Sequence, residues 1–407
     1  MRAPDRRWFV GAIFSIALFA AMGLAQSDAS RIQPLRKAPV VAFTVNPGFR
    51  DWSPATIAGT TILAGNQTGS GGLFAIDTLT GKVKWTYRTV FSTGTAGLST
   101  PPAVTAELAI VPFAAAYPGA VVAVSLATGK EVWRGPDPVQ NAAVAVSGDL
   151  AYILGKNGNF YALDAATGRE RWKAVFATNL APCASLPIVQ EDTVYLTAIA
   201  AASPPGEPGG YYLFALDART GKERWRYRAE APYVHSGVCL SQPVVTADTI
   251  FATGEQHLYA VQRATGRDRW PAIEIRRSED GRVDGQVRAV EVHGLVDAGA
   301  VVIGMTPGFL IAFDKSSGRT AWEIAGKYRE SASNMAVAGN VLYFQGSPGA
   351  KPGTEASATL HALDLDSHGI LWSFTRPTAE PNWPFGPINP VDGGLWVSSY
   401  QALLKLQ

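Results

Sequence analysis

The residues able to do chemistry are few and scattered. Arg50, Asp51 and Trp52 stand together near the start, His235 precedes Cys239, and Glu291 and His293 come later. Two carboxylates and a few bases could pass a proton or help to hold a cation. A calcium ion, however, takes six to eight oxygen ligands, and these segments supply two acids. There is no Ser-His-Asp order, no Cys-x-x-Cys pair and no His-rich cluster.

What these residues can do depends on the frame that places them, and the frame is written as a repeat. LFALDARTGKERW, Leu213 to Trp225, is closely echoed in segments ending at Trp85, Trp133, Trp172, Trp270 and Trp322, with a worn copy, LHALDLDSHGILW, ending at Trp372. The intervals run from 39 to 53 residues, and seven of the 11 tryptophans belong to the repeat. A period of this length signals repeat architecture. Within each copy, LFALD alternates as a strand does. Asp-x-x-Thr-Gly is a turn, because Asp and Thr bond nearby backbone and Gly allows positive φ. The residues before Trp then begin a returning strand. Two more strand-like runs precede each copy, as in PVVTADTIFATG (Pro243 to Gly254). Each unit therefore reads as a four-stranded antiparallel meander, one blade of a β-propeller.

The C-terminal run from Gly393 to Gln407 supplies strands but no returning strand with Trp, and PVVAFTV (Pro39 to Val45) is a lone strand with Phe43 where Trp would stand. Joining them closes a ring without open edges. The expected fold is all-β: an eight-bladed propeller over 39–407, with a flexible lead-in at 26–38 and a signal peptide at 1–25. That signal peptide has a positive start (Arg2, Arg6, Arg7), an apolar stretch and small residues at Gly23 and Ala25. No Cys stands near residue 25, so no lipoprotein anchor is expected, and the export route stays open between the general and the twin-arginine pathway. Cleavage removes three arginines and one aspartate from a chain of net charge +2 and leaves it neutral. With no basic block, nucleic acid is a poor partner.

The spacing of Ala, Gly and Trp in these copies (Ala215, Gly221 and Trp225, for example) resembles the tryptophan-docking motif of the PQQ-like β-propeller family. Six copies are intact. The seventh has His368 where Gly is usual. The resemblance implies that the indoles pack between blades as a structural girdle. Some propellers of this superfamily are alcohol and glucose dehydrogenases, which need PQQ with calcium, basic groups for the cofactor's acids and a general base. Blade alignment puts Arg50, Leu98, Gln140, Cys183, Cys239, Val290, Ser331 and Phe385 at one level of the axial mouth, with Asp51, Trp52 and Glu291 beside them as candidate cofactor contacts. The apolar members and the absent Cys-Cys pair depart from the dehydrogenases. Size and blade number instead resemble the BamB family of outer-membrane assembly factors, which implies a monomeric, exported scaffold that binds protein partners, periplasmic or secreted, with no cofactor. A minimal quinoprotein oxidoreductase and a secreted ligand-sensing propeller remain as alternatives.

Strand direction assigns the loops to two faces. The Thr-Gly turns lie on one. The other receives the insertions at Ser203–Gly210 and Gly346–Ser357, together with the connector from Pro271 to Arg288. That second face is the expected partner face, with Ile273 and Ile275 as apolar anchors and Arg276, Arg277 and Arg282 at a polar rim. Cys183 and Cys239, at matching positions of adjacent blades, are the expected disulfide in an exported protein.

Overall fold

The computed structural model describes residues 32–407 except 46–52, 54, 66–71, 89–97, 99, 114–118, 137–142, 156–157, 176–179, 185–186, 201–209, 230–241, 255, 278–287, 290–291, 307, 329–334, 349–358, 376–387 and 399–401. At 180–184, 199–200, 276–277, 288–289, 293, 327–328 and 347–348 it describes the backbone alone. The elements among the described residues are all strands, and they form an eight-bladed β-propeller of four-stranded antiparallel blades.

From inner to outer strand, blade 1 is Thr56–Ala58, Thr61–Gly65, Gly72–Asp77 and Val83–Arg88, and blade 2 is Ala103–Val104, Leu108–Phe113, Ala120–Ser125 and Glu131–Arg134. Blade 3 is Val144–Ser147, Leu150–Leu154, Asn159–Asp164 and Glu170–Val175. In blade 4 the inner strand is split into Leu180–Ala184 and Ile188–Gln190, followed by Thr193–Ala200, Gly210–Asp217 and Glu223–Ala229. Blade 5 is Val244–Val245, Thr249–Gly254, His257–Gln262 and Asp268–Glu274. Blade 6 is His293–Ala298, Val301–Met305, Phe309–Asp314 and Thr320–Tyr328, and blade 7 is Met335–Ala338, Val341–Pro348, Leu360–Asp364 and Ile370–Phe374. Blade 8 is composite: Ile388–Val391, Gly394–Ser398 and Leu403–Leu406 are completed by Val41–Val45, with Val45 opposite Leu403. The ring closes as the sequence implies.

Both faces of a blade press on neighbours, so middle strands are apolar along their whole length. LAIVPF of Leu108–Phe113 is buried at every residue. The buried side chains fall into eight clusters, one per junction between consecutive blades, and one of them joins Trp396 and Leu403 of blade 8 to Ile62 and Phe74 of blade 1. Burial of this kind contributes roughly 25 cal/mol per Å2 of apolar surface.

The repeat residues make each junction specific. In every copy Ala lies opposite Trp in the ladder, as Ala215 does to Trp225, and each such Ala is fully buried. The small side chain lets the indole lean outward onto the next blade. There it covers the turn glycine so closely that a Cβ on Gly168 would stand 2.6 Å from the Trp133 ring and one on Gly266 2.7 Å from that of Trp225. Those glycines also have φ near +70°, which side-chain-bearing residues rarely adopt. The indole N–H then donates to the next blade's turn. Trp85 bonds Leu126 O at 2.8 Å, Trp133 bonds Ala165 O at 3.0 Å, Trp172 bonds Ala218 O at 3.0 Å and Trp225 bonds Arg263 O at 3.0 Å.

At two junctions a residue of the motif is itself replaced. Where His368 replaces glycine it keeps the positive φ (56°) and packs its ring against Trp322 in a tilted contact, with centroids 4.8 Å apart and planes 41° apart. At the closing junction Phe43 takes the place of the indole, and a Cβ on Gly81 would stand 3.5 Å from it, an ordinary van der Waals distance.

Trp225→Ala should lower unfolding free energy by about 3 kcal/mol, the low end of the range for emptying a large aromatic site, because this ring is only half-buried. Urea unfolding followed by circular dichroism measures it. An unchanged midpoint would rule out the docking role.

Candidate interaction faces

The Thr-Gly face is internally satisfied. In a typical turn, Asp217 Oδ1 accepts from the Thr220 backbone N–H at 2.9 Å and from its hydroxyl at 2.8 Å, while Gly221 N–H closes onto Asp217 O at 2.8 Å. The basic residue before Trp then ties this turn to the one joining the two inner strands. Arg224 reaches Asp192 at 2.7 Å and Asp217 at 2.8 Å, Arg171 reaches Asp164 at 2.6 Å, and Arg269 reaches Asp248 at 2.6 Å. These contacts hold the carboxyls down. The Arg171 hydrogen bond chiefly lowers Asp164 to about 2, and the Arg224 hydrogen bond does the same for Asp217. Asp77 and Asp364 also fall to about 2, mainly through backbone N–H groups of Thr80 and Ser367.

The opposite face carries three backbone extensions. In blade 4 the middle strands run eight residues each and pair out to Ala200 opposite Gly210, raising the root of the 201–209 insertion. Beyond blade 5, Arg276–Arg277 pairs with Arg288–Ala289, so the connector leaves and returns as a hairpin. Between blades 6 and 7, Gly326 to Tyr328 pairs with Gly346 to Pro348 and fuses the two blades into one sheet below the 349–358 insertion. His361 steadies that root. It is buried, with Nε2 2.9 Å from Gly346 O and Nδ1 2.8 Å from Ser373 Oγ, and burial pushes its pKa down.

The sequence candidates divide. Arg50, Asp51, Trp52, Glu291 and Arg282 lie outside the described residues, as do Cys239 and the side chain of Cys183, and with them the disulfide and the signal peptide. Arg276 and Arg277 are placed at the hairpin root by their backbone.

Ile273 and Ile275 were expected as partner anchors, and the structure assigns them another task. Ile275 is 4% exposed in the cluster between blades 5 and 6, and Ile273 packs so tightly over Gly318 that a Cβ there would stand 2.3 Å away. Both support the docking of Trp270, whose N–H reaches Lys315 O at a longer 3.4 Å. Leu98, expected at the axial mouth, is instead fully buried between blades 1 and 2. Among the described residues no three His, Cys, Asp or Glu side chains converge. The donor set for a calcium beside PQQ is thus not found among them. Nor is any helix there long and apolar enough to cross a membrane.

Sequence reasoning missed residues 32–36. The lead-in, read as flexible, is described from Ile32 on, and there it is packed. Leu35 is buried between blades 7 and 8, and Arg36 meets Asp364 at 2.5 Å. The apolar residue inside a short polar run was the available signal.

A blade ring bound by docked indoles defines a PQQ-like β-propeller. Residues 37–138 and 118–374 match the family described as outer membrane protein assembly factor BamB, and the chain belongs to that family. Among solved structures, BamB from Moraxella catarrhalis is 15% identical with a TM-score of 0.64, aligning 91% of this chain with 100% of that one. Quinohemoprotein alcohol dehydrogenase from Comamonas testosteroni is 15% identical with a TM-score of 0.62, over 91% of this chain and 77% of that one. These likenesses establish the fold. In sequence, serine/threonine-protein kinase AfsK of Streptomyces griseus is 27% identical over 198 residues, 47% of this chain and 22% of the kinase. Polyvinylalcohol dehydrogenase of Pseudomonas sp is 29% identical over 137 residues, 29% of this chain and 19% of the enzyme. The chain spans about a fifth of the length of these curated relatives.

The lowered carboxyls fix the sign of an acid response. A depressed folded pKa contributes stability above the unfolded value near 3.9, and that contribution is lost as pH falls toward 2. The fold should therefore hold to about pH 4 and weaken between pH 4 and 2. Arg224→Met should raise the Asp217 titration toward the ordinary value, read by NMR of the carboxyl carbon. An unmoved titration would contradict the ion-pair assignment.

Proposed function

We propose that this propeller is an exported scaffold that holds protein partners on its insertion-bearing face, in the manner the BamB family name suggests. The observation that carries the reading is the set of three β-extensions, in blade 4, after blade 5 and across blades 6 and 7, all rising on one face. Hydrogen-bonded roots fix where each insertion leaves and re-enters the ring, which lowers the entropy cost of capture. The opposite face spends its turn donors, acceptors and charges on itself. Export into the cell envelope rests on the apolar N-terminal stretch and on family membership, and a Cys183–Cys239 disulfide would suit that compartment. The partner chemistry proposed is a polypeptide with acidic groups facing Arg276, Arg277 and Arg282.

A second reading, oxidation of an alcohol or sugar with PQQ, has one observation in its favour: the 137-residue similarity to polyvinylalcohol dehydrogenase. The axial candidates Arg50, Asp51, Trp52 and Glu291 would have to supply the contacts, and no reaction step is derived through them.

Reversing Arg276 and Arg277 to Glu should weaken partner capture, measured by cross-linking in the cell envelope, at least tenfold with melting unchanged. The matched reversal on the other face belongs at Arg169 and Lys222, which are exposed; Arg224 is unsuitable because it is paired twice. Cross-links concentrated on the Thr-Gly turns would overturn the choice of face. Dye reduction by purified protein with PQQ, calcium and an alcohol would establish the second reading instead.

A further inference from the structure

The ring is irregular at the seam between blades 7 and 8. After blades 1 to 5 the docked indole finds its acceptor in the next blade's Thr-Gly turn, on the residue after the turn Asp or its equivalent. Blade 8 completes its sheet with Val41–Val45 and offers no such turn to Trp372. The acceptor is Leu35 O, 2.8 Å from Trp372 Nε1. Leu35 N–H in turn donates to the Tyr343 hydroxyl at 2.7 Å. Tyr343 faces Ala362 in its ladder as Tyr152 faces Ala162, and the Tyr152 hydroxyl likewise reaches the next blade's turn, at Ala218 O, 3.1 Å away. Residues 32–36 therefore stand in for a missing turn.

They are held as a bound peptide would be held. Gln33 N–H donates to Asp392 Oδ1 at 3.1 Å, and its carbonyl accepts from Gly393 N–H at 2.9 Å. Pro34 covers Gly339, Leu35 fills the junction cluster, and the Arg36 guanidinium bridges Asn340 Oδ1 at 2.6 Å and Asp364 Oδ2 at 2.5 Å. Exposed Lys37 and Ala38 separate these contacts from the strand that begins at Val41. None of the contacts requires the chain to be continuous.

We propose that the seam is a peptide-binding slot, filled by the chain's own residues 32–36 and able to accept the same extended Leu-Arg segment from a second copy. This goes beyond the partner-face reading and does not depend on it, since the slot lies on the opposite face. A short tether gives an effective concentration on the order of millimolar, so micromolar free peptide should not displace the intact segment.

The test is fluorescence polarisation with a labelled peptide of residues 32–38 and three full-length proteins. The wild type should show no binding at micromolar peptide. Leu35→Asp with Arg36→Glu, which weakens the resident segment, should bind it saturably. Adding Asp364→Asn should weaken that binding at least tenfold, while keeping an oxygen to cap the turn at Ser367. If the double variant fails to fold, Arg36→Glu alone replaces it, and the peptide should raise its melting temperature. A folded variant that binds no peptide, binding indifferent to Asp364→Asn, or no melting shift with Arg36→Glu would each overturn the proposal.

Discussion

The junctions that follow blades 1 to 5 and blade 7 each turn on one hydrogen-bonded indole. A tryptophan at the outer strand of one blade must reach a carbonyl in the next, and three local choices follow from that. The residue opposite it must be small, hence Ala. The turn beneath it must have no side chain and a positive φ, hence Gly. The turn must also present its carbonyl in register, hence Asp and Thr bonding the turn from within. An unmade indole bond at a half-buried site would leave a donor unsatisfied, which costs more than the bond gains. The repeat is therefore conserved along the chain by geometry, since each junction poses the same problem to its neighbour.

A closed ring has one junction where chain continuity cannot supply the next blade, and irregularity collects there. Phe43 has no N–H to place, so it needs no acceptor, and it leaves room for a Cβ on Gly81 at ordinary contact distance. On the other side of blade 8, Trp372 keeps its N–H, and the lead-in supplies the acceptor. At His368 the turn tolerates a side chain in the left-handed region, at a cost of roughly 1 kcal/mol, and the imidazole packs at a tilt against Trp322 where glycine would leave only backbone. Each departure from the motif is met by a contact that answers the same need.

This also explains what the sequence disclosed. Blade number, strand order and the role of Val41–Val45 were legible because they follow from a period and from alternation. Ile273 and Ile275 were not, because a connector following a strand looks exposed in sequence; Ile273 packs over Gly318 of the next blade, 45 residues away, and Ile275 is buried in the cluster between blades 5 and 6. Leu98 misled for a related reason. Alignment fixed its level in the blade, whereas its side chain fills the space over Gly65, within the cluster between blades 1 and 2. Residues 32–36 carry no periodic signal at all, since their conformation is imposed by a vacancy elsewhere in the ring.

The two faces evolve under different constraints for the same reason. A Thr-Gly turn cannot lengthen without moving the carbonyl that the preceding indole needs, so that face is held to short, self-bonded turns. The described residues of the loops on the other face supply no carbonyl to a docking tryptophan, and extra length there costs only loop entropy, which grows slowly with chain length. Insertions therefore accumulate on one side, and ladders such as Gly326 to Tyr328 with Gly346 to Pro348 stiffen their roots. The docking requirement that closes the ring thereby also decides which face is free to acquire a partner.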